Sequence, residues 1–594
     1  MQSRAFNFLM MGLVLAGTSV FCPSSEARDS AVGEHSPAPA AQGSNHKHYE
    51  ASPMANQPGL DGQLAPRLQN LGTHVFPVST RNKRAQLFIN QGINLAYGFN
   101  HAEARRAFRE ATRFDPALAM AYWGQALVLG PNINAPMDPD DESDALKLVQ
   151  KAKSLMGSAS KREQALISAL EKRYSGDSGN RTANDKAYAE AMRTVHRRFS
   201  ADPDIAMLYV ESVMDLRPWG YWMRDGHPYE GTAEIVALTE EVLRRHPAHP
   251  AALHMQIHLL EPTSTPERAE KAADTLLPLM PAAGHMIHMP SLMPAAGHMI
   301  HMPSHIYQRV GRYADAIESN QLAIAADEDY IAQCQAQGLY PMAYYPHNIH
   351  FLSFSATASG QGRIAIESAR KTASRINDSL LKEMPLTAVF RMAPYWALAR
   401  FGHWQEILDE PSPPATNTFL KGSWHYVRGL AFVATGRLSK AEQELGILRE
   451  IMKDPGLDGA LFSKNTPRTI LKIAPEVLAG EIDAARGKFD SAIAHLERAV
   501  RYEDALVYTE PAEWHYPPRL ALGAVLLEAG YPDEAETVYW NDLQRNRDSG
   551  WALFGLLQAL RAQKKEAEAG VIEARFKKAW EHADVKLTAS RMGR

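Results

Sequence analysis

Five stretches of the chain place small and apolar residues at the same offsets, and few folds can satisfy that pattern. Gly480, Gly487, Ala492, Leu496 and Ala499 are separated by seven, five, four and three positions. Gly429, Gly436, Ala441, Leu445 and Leu448 repeat the set, and Ser304, Gly311, Ala316, Asn320 and Ala323 repeat it again. Gly523, Gly530, Ala535 and Tyr539 keep its first four members, while Gly92, Phe99, Ala104, Phe108 and Ala111 keep the offsets near the start, with Pro116 closing the unit. Repetition of this kind means an array of short units, none of which can bury its own apolar face alone. A Gly or Ser on one helix lets a second approach closely, and a Gly seven residues on ends the first helix in a left-handed turn. The Ala, Leu or Phe positions then form the stripe that the second helix must bury.

These residues carry a resemblance to the tetratricopeptide repeat (TPR) family, clearest in GFNHAEARRAFREATRFDP, GRYADAIESNQLAIAAD and AGYPDEAETVY. The resemblance implies an all-α solenoid or superhelix of helical hairpins, with a concave groove that takes a peptide or protein partner. The units do not start at the steady interval of about 34 residues typical of the family, so loops or extra helices must lie between them. Between residues 130 and 278 the template fits loosely. There SDALKLVQKAKSLM, REQALISALEKRY, NDKAYAEAMRTVHRRF and TAEIVALTEEVLRR each put apolar residues three or four apart on a charged helix. No strand-like run appears. One helical array from about Asn82 to Trp580 is expected, with N-terminal repeats in residues 65–330 and C-terminal repeats in 331–594.

Length excludes a single compact core, since 594 residues is several times an ordinary domain. The hydrophobic fraction of 45% and charged fraction of 22% are those of a folded chain, and a formal net charge of −4 offers no basic face, so nucleic acid is not an expected partner. Residues 1–27 read as a cleaved secretory signal: Arg4 precedes an apolar run from Phe6 to Phe21, and Ser25 and Ala27 supply small side chains at the cleavage site. A lipid anchor on Cys22 is disfavoured by the bulky Phe21 before it. No transmembrane segment follows, and a periplasmic location is expected. Cleavage leaves Cys334 as the single cysteine and excludes an internal disulfide. Residues 28–64, rich in Ala, Pro, Ser and Gly and carrying His46 and His48, read as a disordered leader.

Repeat logic does not explain the histidines. HMQIHLLE gives His254, His258 and Glu261 at helical offsets of four and three, and GHMIHMPSHIY gives His298, His301 and His305. YYPHNIHF adds His347 and His350, and EPAEWHYPPRL adds Glu513 and His515. In a TPR-like stack the first helices line the groove wall. These groups can therefore converge on copper or zinc, with imidazole donors and Glu261 or Glu513 as carboxylate, or they are ordinary helix histidines. Met286, Met289, Met299 and Met302 lean the set towards copper. HMQIH has the spacing of a metalloprotease motif, but Gln256 follows Met255 where the glutamate should stand, which excludes that chemistry. Trp219, Tyr221 and Trp222 in LRPWGYWMRDGHPYE, with Tyr344, Tyr345, Trp514 and Tyr516, are candidate groove residues for a partner; the first three equally suit a packed plug. DPDDESD, after residue 137, lacks the Gly and terminal Glu of a calcium loop.

Residues 279–291 and 292–304 are identical at all thirteen positions. Identity that complete, beside repeats that keep only their small and apolar positions, marks a recent in-frame duplication. Thirteen residues turn a helix through three whole turns and roughly 220° more, so both copies cannot face one groove from a straight helix. Pro281, Pro290, Pro294 and Pro303 would break that helix. The second copy runs unbroken into the downstream unit and takes the ancestral place. The first lengthens a connection at small entropic cost.

Overall fold

The computed structural model describes residues 62–68, 71–279, 297–334, 340–383, 387–459 and 465–591, with the short segments 15–16 and 45–46. The expected signal and leader fall outside these residues, apart from 62–64 and a two-residue antiparallel pairing of Leu15–Ala16 with Asn45–His46. Among the described residues the fold is all-α apart from that pairing, a stack of helical hairpins. The array opens where Asn82 caps Lys83–Tyr97 by accepting from the Arg84 and Ala85 N–H groups. It ends where Trp580 follows Glu566–Ala579.

The repeat offsets become hairpins by the mechanism the sequence suggests. Lys83–Tyr97 packs on His101–Phe114, Thr418–Ala434 on Leu438–Ile451, Ile473–Ala485 on Phe489–Asp504, and Pro518–Ala529 on Pro532–Arg545. Phe108 is wholly buried and wedged between two glycines: a Cβ added at either Gly92 or Gly124 would come within 2.5 Å of its ring. Tyr539 occupies the same kind of slot between Gly523 and Gly555. Only a residue without a side chain admits an aromatic ring this close to a helix backbone. Gly530 ends its helix at φ 86°, where an L side chain is disfavoured. The first unit carries Phe99 at the equivalent offset, and it too takes a left-handed backbone, φ 58°.

The array does not stay open. Its C-terminal hairpins curl back onto the middle of the chain: Trp551 Nε1 donates to Thr357 O at 2.9 Å, and Gly362 N donates to Asp584 at 2.6 Å. Tyr313 Oη donates to Arg547 O at 3.1 Å, and Arg547 pairs with Glu267 at 3.0 Å. The helix Pro250–Leu260 has every residue buried, packed by Lys83–Tyr97, Pro203–Met214, Thr232–Arg245, Glu270–Leu279 and Pro303–Arg309. Buried apolar residues gather in one cluster from Ala65 to Tyr344 and another from Ile376 to Ile572. The expected division after residue 330 falls inside the 22-residue helix Tyr313–Cys334. Among the described residues no helix is long and apolar enough to cross a membrane.

Candidate metal centre

Four short elements bring the histidines into the enclosed interior. His254 and His258 stand one turn apart on Pro250–Leu260; His298 and His301 lie on Gly297–His301; His305 is on Pro303–Arg309; His347 is on Tyr345–Ala358. Gly297 is required by the close pass of this segment, because a Cβ there would overlap the Asp327 carboxylate. The six rings form two trios, and the ligand atoms within each lie no more than 4.8 Å apart.

In the trio His301, His305 and His347, the Nε2 atoms face one another. His305 Nε2 is 2.7 Å and His347 Nε2 is 3.1 Å from His301 Nε2. The opposite nitrogens are occupied. Asn320 donates Nδ2–H to Ala316 O at 2.7 Å, which turns its Oδ1 towards His301 Nδ1 to accept at 2.6 Å. His305 Nδ1–H donates to Glu261 Oε2 at 2.7 Å and Glu510 Oε2 at 2.5 Å. Protons are thus committed to Nδ1 on two rings, and their Nε2 atoms point at each other. Nitrogens bound to one ion at about 2.0–2.1 Å stand roughly 3.3 Å apart in a tetrahedral site, close to the spacings found. Phe351 packs on His301 and His305 at 4.9 and 4.7 Å between ring centres, and His347 is half-buried at the outer edge.

The trio His254, His258 and His298 adjoins it. His258 Nε2 is 3.0 Å from His254 Nε2, and His254 Nδ1–H donates to Tyr97 O at 2.7 Å. His258 Nδ1 faces Glu261 Oε1 at 3.3 Å, so Glu261 touches one ring of each trio. The left-handed Phe99 lays its ring against His254, His258 and His298 at 4.7, 5.9 and 5.6 Å.

Burial sets the charge states. It holds His258, His298 and His301 well below the usual 6.5, reinforced by neighbouring histidines, and it brings His254 and His347 down to about 4. At neutral pH these five rings are uncharged, which is the ligating form. His305 differs: burial opposes its charge, but Glu510 and Glu261 outweigh it and hold the ring up at about 10. Burial and the adjacent Glu510 push the Glu261 carboxyl well above the carboxylate range, while the positive His305 keeps Glu510 low despite its burial.

A third group, His74, Asp204 and His249, is of another kind. Asp204 Oδ1 accepts from His74 Nε2 at 2.8 Å, from Tyr97 Oη at 2.8 Å and from His249 Nε2 at 3.3 Å. His249 Nδ1 accepts the Ala252 N–H, which fixes the proton on its Nε2. The carboxylate is satisfied, and the group is a structural hub.

The structure places the other sequence candidates elsewhere. His350 and His515 pack against each other at 4.8 Å, outside both trios, and Glu513 accepts from Asn465; the second carboxylate at the centre is Glu510. Met299 and Met302 belong to the hydrophobic core, while Met286 and Met289 lie outside the described residues. The histidines are interior rather than on an open wall. The same enclosure corrects the groove residues: Tyr221, Tyr344, Tyr345, Trp514 and Tyr516 are 7% exposed or less, so they fill the interior instead of facing a partner. Trp219 stands edge-on to His258 at 5.0 Å, and Trp222 Nε1 donates to Leu259 O at 2.7 Å, as a plug would. Sequence reasoning passed over Asn320, although a polar residue on the Leu496, Leu445 and Tyr539 stripe position is a readable signal. Glu510 sits in a connection with no periodicity to mark it.

No protein-family model matches the chain, and no curated protein matches it. Among solved structures it is similar to the human IFIT1 dimer with m7Gppp-AAAA, at 12% identity and a TM-score of 0.31, covering 84% of this chain and 91% of that one. The APC/C hetero-tetramer Cut9-Hcn1 gives 11% identity and a TM-score of 0.25, covering 72% and 80%. At these scores the likeness carries no functional argument.

Proposed function

We propose that this protein binds a first-row transition ion, copper or zinc, through His301, His305 and His347, with Asn320, Glu261 and Glu510 orienting the rings from behind. The observation that carries the reading is the facing of Nε2 atoms whose ring partners at Nδ1 are already held. Two buried imidazole nitrogens 2.7 Å apart need a proton or a cation between them; the second ring proton of a charged His305 fills that place in the metal-free protein, and an ion would displace it. Ligating histidines commonly donate their other N–H to a carboxylate or amide. Three protein donors also leave a coordination position free for water or substrate, so hydrolytic or redox chemistry is open to such a centre.

The export signal read from residues 1–27 supports a periplasmic setting, where the ion would be acquired. A scaffold role for a peptide or protein partner rests on the repeat resemblance alone, since the interior aromatic residues do not face outward.

Elemental analysis of mature, untagged protein prepared without chelator tests the reading. Near-stoichiometric copper or zinc, lost in His347→Ala, is the expected result. A wild-type protein that stays free of metal after titration with both ions would overturn it.

A further inference from the structure

We infer that His254, His258 and His298 hold a second ion, so that the two trios form one dinuclear copper(I) centre tied together by Glu261. This rests on the reading of the first trio and extends it.

The second trio has what a satisfied histidine cluster lacks. Among the described residues both ring nitrogens of His298 are buried with no hydrogen-bond partner, and its side chain is flanked by Phe99, His254, His258 and Tyr344. A buried polar atom without a partner is costly. The Asp204 hub shows how this chain meets that cost when only hydrogen bonds are wanted: each histidine there points a protonated nitrogen at one carboxylate oxygen. Among the described residues no such acceptor serves His298. His254 has its proton fixed on Nδ1 by the Tyr97 carbonyl, so its Nε2 offers a lone pair to the same space that His258 Nε2 faces at 3.0 Å. Three nitrogens within 4.8 Å of one another are the donors an imidazole-preferring ion requires.

The trios are neighbours. His258 and His305 lie 6.1 Å apart between ring centres, as do His298 and His301, and Glu261 holds His258 by one oxygen and His305 by the other. Three nitrogen donors in each trio suit copper(I), which favours low coordination numbers and accepts imidazole ligands.

The test is anaerobic titration of the full-length protein with copper(I) against a competing chromophoric chelator, counting ions per chain, with X-ray absorption on the loaded wild type. Two ions per chain, one in His298→Ala and one in His347→Ala, with about three nitrogens per copper, is the expected result. A single wild-type ion that survives His298→Ala and disappears in His347→Ala would overturn the second site and leave the first standing. One ion lost equally in both variants would mean a single ion shared across the trios and would also overturn the inference. Failure of the wild type to bind copper(I), zinc(II) or copper(II) would remove both readings together. Circular dichroism on each variant shows whether it folds. The wild-type stoichiometry and absorption spectrum decide the question even where a variant does not.

Discussion

Glu510 follows His305 by 205 positions in the chain, yet its Oε2 lies 2.5 Å from His305 Nδ1. No repeat offset connects the two. The contact exists because the C-terminal hairpins curl back over the helix Pro303–Arg309, and it makes the centre depend on both ends of the array.

Removing that carboxylate's charge should weaken the centre without dismantling it. Glu510→Gln keeps the shape of the side chain and leaves Glu261 on His305. Metal affinity is expected to fall about 10- to 100-fold, the usual effect of losing a partner that orients a ligand, with little change in the melting of the metal-free protein. Competition against a chelator of known affinity measures the first, and calorimetry the second. Unchanged affinity would remove Glu510 from the orienting role.

His101 supplies a pH dependence that does not involve the centre. Burial and the nearby Arg173 cation lower its pKa from 6.5 to about 3. The folded state therefore binds fewer protons than the unfolded state between those values, and the stability this residue contributes is lost as pH falls below 6.5. In His101→Gln this term is absent. The difference in unfolding free energy between wild type and variant should shift against the wild type by about 1.6 kcal/mol from pH 6.5 to pH 5, the slope reaching about 1.4 kcal/mol per unit only once the unfolded-state ring is mostly protonated. Urea titrations at the two pH values read it directly, and a constant difference would contradict the assignment.

Gly124→Ala should destabilise the first hairpins. The added Cβ would meet Phe108 Cδ1 at 2.5 Å, and Gly92 closes the other side of the ring at the same distance, so the ring has no room to retreat. A loss of about 1–3 kcal/mol is expected from overpacking of this kind, measured as a shift in the urea midpoint. A neutral substitution would show that the slot is looser than its geometry.

Deleting residues 279–291 removes one of two identical phrases and restores a single copy before the downstream helix. The protein is expected to fold, melt and bind metal as the full chain does, since Gly297–His301 and Pro303–Arg309 are supplied by the copy that remains. Loss of folding or of binding on deletion would mean that the first copy has a place of its own.

The hairpins were legible because their rule is local: Gly92, Phe108 and Ala111 state the packing of two neighbouring helices within twenty residues of chain. The grouping of His254 with His298, and of His301 with His347, was legible only as a set of candidates, because helical spacing says which face a ring occupies and not what that face meets. Glu510 left no trace, since a connection has no period to depart from. The open groove was the main misreading. It came from treating the array as a line of units, whereas Trp551, Trp580 and Asp584 fold its far end against Thr357, Gly360 and Gly362. Tyr344 is interior against His298 and Tyr340, and Trp514 against Trp396 and Tyr426.

The grip of Glu261 and Glu510 on His305 bears on a hazard that the duplication creates. Two identical phrases in tandem invite the wrong one to dock, with the chain slipped by thirteen residues. His285 and His288 would then stand where His298 and His301 belong, with nothing to tell them apart. Four residues further on the equivalence ends, because Leu292 occupies the position of His305. A slipped chain would set an isobutyl group against Glu261 and Glu510 and leave Glu510 without its charged partner, a penalty of several kcal/mol. The acid pair is therefore matched only by the copy that ends in histidine.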